Sequence, residues 1–174
     1  AQIGVFEIDL TTGKSIVSAT WYAVMGLDPN SIEDTQKEWL ARIHPQDLAI
    51  VQAADTACIE GKTQRSIANF RMRNVEDTHW QWMRSNAFVR TRESNGKALT
   101  FSGTQIDITQ SVQTEQGLRR SEEQFRSSFE NGPIGMAIVG LSGGWERVNT
   151  ALCEMFGYNE ATFLATDFQS LTHP

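Results

Sequence analysis

The sequence contains the same pattern twice, and this duplication constrains the fold more than any other feature. Gly4 and Gly26 lie 22 positions apart, and Gly135 and Gly157 repeat this spacing at an offset of 131 residues. Three further pairs agree at the same offset: Leu10 with Leu141, Gly13 with Gly144, and Trp21 with Leu152. An ungapped register of glycine and apolar positions indicates an internal repeat, in which each copy forms one structural unit.

The two copies differ in completeness. His44-Pro45 of the first copy recurs as His173-Pro174, at an offset of 129 residues, so the second copy is two residues shorter at that point. In the first copy more than 60 residues follow before Thr109, whereas the second copy ends at its own His-Pro pair. We therefore expect one whole unit and the opening part of another.

The predicted organisation has three parts. Residues 1–110 form the whole unit, residues 111–131 form a linking helix, and residues 132–174 form the opening part of the second unit. Because the sequence opens at Ala1 without an initiator methionine, we interpret it as a fragment of a longer protein.

The hydrophobic period of the first unit changes from 2 to 3.6 and back to 2, which predicts two strands, a helical block and three more strands. The predicted strands cover Val5–Leu10, Ser15–Ser18, Ala68–Met72, Trp80–Val89 and Leu99–Ile108, and the predicted helices cover Ala19–Met25, Gln36–Ile43 and Pro45–Gly61. Turns are predicted at Asn74–Asp77 and at Ser94–Gly96, since Asn-Gly adopts positive φ at low cost. This order predicts an α+β fold, with a five-stranded antiparallel sheet covered by helices on one face.

The linking helix is predicted to be amphipathic over Gln110–Glu130. Its apolar stripe consists of Val112, Leu118, Phe125 and Phe129, and charged residues occupy the remaining surface. Two interpretations are open. The stripe docks on its own domain, or it pairs with a second chain as a short coiled coil.

Composition excludes several classes of protein. With 15 basic and 21 acidic residues the net charge is -6, so the chain lacks the basic stripe of a nucleic-acid-binding protein. The longest apolar run is Met136–Val139, far below the ~20 residues of a membrane span, and no secretion signal is visible. Cys58 and Cys153 are too few for a metal quartet or a disulfide framework. We expect no nucleic acid partner, no membrane segment in this fragment and a cytoplasmic location, with an upstream membrane anchor left open.

Several motifs of the first unit resemble those of the PAS domain family, including the PAC segment that closes such a domain. They are Trp21–Asp28, Trp39–Asp47, Asn69–Arg73, His79–Met83 and Gly103–Thr109. In the second copy, Asn149–Tyr158 resembles the opening of another PAS domain, and Arg120–Arg126 resembles the helix that enters one. The resemblance implies the PAS fold for both copies.

The resemblance also implies a function. PAS domains are sensory and dimerisation modules, so we expect a regulatory part of a bacterial signalling protein, without catalytic activity of its own and with an output domain downstream. Ala165–Pro174 is similar to stretches of PAS-linked diguanylate cyclases and histidine kinases. We favour a diguanylate cyclase, and hence cyclic-di-GMP signalling, with the sensor region of a histidine kinase as the alternative. No catalytic motif of either enzyme is present in the sequence.

A PAS fold encloses a pocket that holds a ligand in some members and nothing in others. If a ligand binds, the resemblance points to Trp39, Phe70, Met72 and Trp82 as the residues that line its pocket. His44 precedes a proline that is typical of a helix start, and its recurrence at His173 favours a structural role over haem ligation.

The cofactor therefore stays unknown at this stage. Cys58 lacks the Asn-Cys-Arg-Phe context of photoreceptors that form a flavin adduct, so we expect neither haem nor flavin. No metal-ligand cluster and no catalytic set of side chains has an interpretable spacing in the sequence.

The last predicted strand continues into the linking helix without an intervening proline or glycine. Asp107, Ile108 and Thr109 are therefore the predicted signal exit, through which a change in the sheet reaches the helix. A homodimer is the expected assembly. The competing hypothesis is a structural dimerisation module with a filled core and no ligand.

Overall fold

A computed structural model describes residues 2–73 and 79–167 of the chain. The chain divides into two units, Ala1–Gln113 and Thr114–Pro174, which are treated separately below. The predicted turn Asn74–Asp77 and the second His-Pro pair, His173-Pro174, lie outside the described residues.

The first unit follows the predicted order of elements. Its strands are β1 Ile3–Asp9, β2 Ser15–Val17, β3 Ser66–Arg73, β4 Trp80–Arg92 and β5 Ala98–Asp107. Its helices are α1 Ala19–Met25, α2 Thr35–Arg42 and α3 Pro45–Ile59, with a short 3-10 turn at Pro29–Ser31. Helix α4 then spans Thr109–Asn131 without a break. None of the helices within residues 2–73 and 79–167 has the length and apolar character needed to cross a membrane.

The five strands form one antiparallel sheet in the order β2-β1-β5-β4-β3, which confirms the predicted fold class. Side chains alternate between the two faces of each strand, and directly paired residues share a face. Phe70 is paired with Met83, and both are buried under the helices. Arg71 and Trp82, the neighbouring pair, lie on the opposite face.

Buried apolar residues of the inner sheet face and of α1, α2 and α3 form a single core. It contains Phe6, Trp21, Met25, Trp39, Ile43, Val51, Cys58, Ala68, Phe70, Met72, Met83, Ala87 and Phe101. Trp39 of α2 meets Phe70 of β3 edge to face, with ring centroids 5.8 Å apart. Burial of these large side chains is the main source of stability of the first unit.

Short polar side chains begin the helices of the first unit. Ser18 accepts a hydrogen bond from the backbone N–H of Trp21, and Asp34 accepts two from the start of α2. His44 Nδ1 accepts one from the backbone N–H of Gln46, 3.2 Å away. The expected structural role of His44 at a helix start is thus the role that its side chain has here.

An ion pair fastens the start of α3 to β3. The Arg71 guanidinium donates from Nη2 to Oδ1 of Asp47 at 2.7 Å and from Nε to Oδ2 at 2.9 Å, and the Arg71 backbone N–H also donates to Oδ2. These hydrogen bonds from Arg71 hold the pKa of the buried Asp47 carboxyl below its usual range. The sequence predicts Asp47 only as a residue that complements the positive end of the helix; the structure adds this second role.

The second unit reproduces the opening of the first at the level of single hydrogen bonds. Its elements are the C-terminal part of α4, β6 Ala137–Val139, β7 Trp145–Val148, α5 Thr150–Phe156 and α6 Glu160–Leu164. Asn149, 131 positions after Ser18, begins α5 and accepts from the backbone N–H groups of Met136 and Leu152. Ser18 accepts from Val5 and Trp21 in the same way.

The glycines that begin the two copies have a common steric role. A Cβ on Gly4 would lie 2.9 Å from Cα of Trp21, and a Cβ on Gly135 would lie 3.2 Å from Cα of Leu152. Both strands therefore need glycine because a helix backbone crosses them closely. The duplication predicted from the sequence is confirmed in the structure by this shared strand–helix joint.

The hairpin tips differ between the copies. Gly13 has a positive φ of 73° in the first tip, but in the second the positive φ of 87° belongs to Gly143 rather than to the aligned Gly144. The second turn is one residue shorter, and a register shift between Ile138 and Val139 restores the offset. The predicted equivalence of Gly13 and Gly144 is thus wrong by one position, because a β-bulge is invisible to an ungapped alignment.

Candidate functional site

The candidate site is a cleft inside the first unit, between the inner face of the sheet and helices α1, α2 and α3. Its lining consists of Phe6, Ile8, Ser15, Val17, Trp21, Thr35, Gln36, Trp39, Asp55, Phe101 and Gln105. The closed part has a volume of about 20 Å³, room for a single water-sized group. It adjoins an open groove of about 390 Å³ that shares Ile8, Gln36, Trp39, Asp55 and Phe101.

Two hydrogen-bond donors of the cleft are not used by the protein. Trp39 is 6% exposed, and its buried indole Nε1–H has no partner among the described residues. Gln105 Oε1 accepts from the indole Nε1–H of Trp21 at 2.8 Å. Because an indole nitrogen only donates, the oxygen of Gln105 must face Trp21, which leaves its NH2 group for another partner.

The cleft also contains one acidic group. Asp55 of α3 accepts a hydrogen bond at Oδ1 from the hydroxyl of Ser66, 2.6 Å away. Burial raises the pKa of the Asp55 carboxyl, because the charged form is poorly solvated there, and the Ser66 hydrogen bond offsets only part of this effect. The cleft thus combines apolar walls with two free N–H donors and one carboxyl group.

The predicted pocket residues are only partly brought together. Trp39 lines the cleft, and Phe70 and Met72 are buried beside it in β3. Trp82 does not join them, since it pairs with Arg71 on the other face of the sheet and lies 5.9 Å from the Arg71 guanidinium. The grouping of Trp82 with Phe70 is therefore corrected: both were chosen for aromatic character, without regard to the phase of their strands.

Two residues of the cleft were missed by sequence reasoning. Asp55 lies four residues after Val51 and three before Cys58, on the inward stripe of α3. Gln105 follows Phe101 and Gly103 at the inward phase of β5. A polar residue at an inward position of an apolar pattern was the available signal for both.

The residues considered for haem and flavin lie elsewhere. His44 caps α3 and contacts Trp80 with ring centroids 4.4 Å apart, and Cys58 is buried in the core. Within the described residues, the lining of the cleft and groove contains neither histidine nor cysteine. The closed part is also much smaller than the ring system of either group, so these residues do not fit haem or a flavin adduct.

The predicted signal exit is fastened to the neighbouring strand. Ile108 N–H donates to the backbone oxygen of Trp82 at 2.8 Å, and Trp82 N–H donates to Oγ1 of Thr109 at 2.9 Å. Asp107 accepts from the backbone N–H of Thr109 at 2.7 Å. These three bonds fix the first turn of α4 to the middle of the sheet, so a displacement of β4 would move the start of the helix.

Comparison with protein families identifies two matches in this chain. A model described as PAS fold matches residues 14–105, more than half of the chain. A model described as PAS domain matches residues 123–173. The two matches fall on the two copies of the repeat.

Two solved structures share the fold. A sensory box histidine kinase/response regulator from Burkholderia thailandensis is 26% identical, with a TM-score of 0.60 over 72% of this chain and 92% of the other. The N-terminal domain of a diguanylate cyclase with PAS/PAC sensor from Marinobacter aquaeolei is 21% identical, with a TM-score of 0.54 over 63% of this chain and 98% of the other.

Among curated proteins, a probable diguanylate cyclase, DgcE of Escherichia coli, is 42% identical over 57 residues, or 33% of this chain. The chain spans 5% to 16% of the lengths of the curated relatives that it matches. The similarity to these relatives is therefore a similarity to a small part of each.

Proposed function

The chain belongs to the PAS domain family, the sensory domains of signal-transduction proteins, and we propose that it binds a small molecule in its cleft and passes the bound state to an output domain through α4. In this proposal residues 1–110 sense, residues 111–131 transmit and residues 132–174 open a second PAS unit. Its setting is the cytoplasm, where free thiols such as Cys58 and Cys153 are kept reduced.

The attachment of α4 to the sheet carries this proposal. The helix begins at Thr109, directly after β5, and is held to β4 by the two backbone contacts of Trp82. The cleft lies on the inner face of the same β5 strand, through Phe101 and Gln105. A ligand that shifts β5 would therefore shift the start of α4, provided that two arrangements of the sheet are close in free energy.

The similarity to DgcE supports a diguanylate cyclase as the output domain, and thus control of cyclic-di-GMP synthesis. The Burkholderia structure supports the alternative, a histidine kinase. Both outputs would be driven by the same helix, and an assay of cyclase and of autokinase activity in the full-length protein would separate them.

The length of α4 is expected to set the phase of the signal. Removing Glu115 and Gln116 from the full-length protein would rotate everything beyond them by about 200° relative to the sheet. We expect a several-fold change in output activity, measured as product formed per minute at saturating nucleotide. As a control, removing the seven residues 115–121 changes the phase by only about 20° and should retain regulation better; equal activity of all three proteins would contradict transmission through α4.

A second candidate function, homodimerisation, is favoured by the outer face of the sheet. Ile3, Val5, Ile67 and Phe88 lie there with between 41% and 58% of their surface exposed. The same face carries Glu7, Arg84 and Arg90, so it presents both signs of charge around an apolar stripe. A second copy related by a two-fold axis could cover the stripe and match charge to countercharge.

Dimerisation through this face predicts that Val5→Lys weakens self-association. Sedimentation velocity of the wild-type chain at tens of micromolar should give the mass of a dimer, and the variant should sediment as a monomer. The matched control is Ile50→Lys, which places the same charge at an exposed apolar position of α3. A monomeric wild-type chain, or equal dissociation of both variants, would remove this candidate.

A further inference from the structure

The polar groups of the cleft define the chemical class of its ligand. We propose that the cleft binds a small aromatic or aliphatic molecule with an amide-like group, that is, a carbonyl acceptor next to an N–H donor. This inference rests on the proposed sensory function and deepens it. Its basis is the set of hydrogen-bonding groups that the protein leaves unused.

The first requirement is an acceptor on the ligand. The Trp39 indole Nε1–H is buried without a partner among the described residues, and the NH2 group of Gln105 faces away from Trp21, which occupies its oxygen. Buried donors without partners are rare in folded proteins. A ligand that consists of hydrocarbon alone would leave both donors unsatisfied, whereas a carbonyl oxygen can accept from both.

The second requirement is a donor on the ligand. Asp55 is occupied at Oδ1 by Ser66, and its second oxygen remains for a donor from outside the protein. The burial that raises the pKa of this carboxyl makes a further N–H contact more valuable to its charged form. A carboxylate ligand would place a second negative charge beside Asp55, which disfavours an acid.

The remaining part of the ligand is apolar. The groove outside the closed cleft is walled by the side chains Ile8, Leu10, Leu40, Val51 and Ile59. The closed part holds only a water-sized group. The polar group of the ligand therefore belongs inside, and a ring or a short chain belongs in the groove.

Three probes of similar shape distinguish these requirements in the whole chain. Benzamide has the acceptor and the donor, benzoate has an acceptor and a charge, and toluene has neither. The readout is the indole N–H signals of the five tryptophans in proton–nitrogen correlation spectra, with the Trp39 signal assigned by its loss in Trp39→Phe. We expect benzamide to move the Trp39 proton downfield with saturation, and benzoate and toluene to bind about tenfold more weakly or not at all.

Two variants test the roles of the residues separately. Trp39→Phe keeps the apolar wall but removes the donor, so it should weaken benzamide several-fold and leave any toluene binding unchanged. Asp55→Asn keeps an acceptor for Ser66 but turns a donor toward the ligand, so it should shift the preference from benzamide toward benzoate. Trp82→Phe, on the outer face, should change neither, and circular dichroism checks that each variant is folded.

The outcomes separate this inference from the function on which it rests. If toluene or benzoate moves the Trp39 signal as strongly as benzamide, the ligand class is wrong while the cleft remains a binding site. If none of the three probes moves it at millimolar concentration, the inference is overturned, and the α4 deletions in the full-length protein decide independently whether signals pass through the helix.

Discussion

Replacing Phe70 by alanine is expected to lower the free energy of unfolding of the first unit by about 3–5 kcal/mol. Phe70 is completely buried at the centre of the core. Its ring meets Trp39 edge to face, and its strand neighbour across β4 is the buried Met83. The substitution removes the ring and leaves a cavity that the surrounding sheet and helices cannot fill without moving.

Urea unfolding followed by tryptophan fluorescence measures this loss, because four of the five tryptophans lie in Ala1–Gln113. Phe88→Ala is the matched control: it removes the same side chain from the same sheet, but on the outer face, where Phe88 is 41% exposed. We expect the control to cost less than about 1 kcal/mol. Similar losses for both variants would show that the inner face is not the packed one.

The second large effect is expected at Gly103 of β5. A Cβ at this position would lie 2.7 Å from the backbone oxygen of Asn86 and 2.8 Å from Cα of Ala87. Because these are backbone atoms of the paired strand β4, they cannot give way as a flexible side chain would. Gly103→Ala should therefore destabilise the first unit by about 3 kcal/mol, at the upper end of overpacking effects.

Gly117→Ala provides the control of opposite sign. Gly117 lies in α4, where a new Cβ would meet nothing within 4 Å. Alanine in a helix interior is more stable than glycine by about 1 kcal/mol, so this variant should melt at a higher temperature by circular dichroism at 222 nm. A Gly103→Ala protein as stable as the wild type would contradict the close approach of β4 and β5.

The elements of the first unit are predictable because hydrophobic period and end signals agree along the chain. The strands alternate, α1 ends at a glycine with a φ of 62°, and Pro45 begins α3. The core follows from the same pattern, since Phe70, Met72 and Val51 occupy inward positions of their elements. Local physics of this kind is written in a single sequence.

The cleft is less predictable, because it depends on which side chains meet across the sheet. The aromatic character of Trp82 suggested a pocket residue, but its pairing with Arg71 places it on the outer face. Conversely, Asp55 and Gln105 look like isolated polar residues until the register of β5 and the packing of α3 bring them to one cavity. Strand register and helix rotation are long-range properties that no local pattern specifies.

The bulge in the second hairpin has a consequence for how such a domain can diverge. The turn after β6 lost one residue relative to the turn after β1, yet the distance from the first glycine to the helix cap stayed the same in both copies, because the strand took up the difference. Tip and joint are thus mechanically independent. Natural variation in length can accumulate at residues such as Thr12 without reaching the cleft behind them.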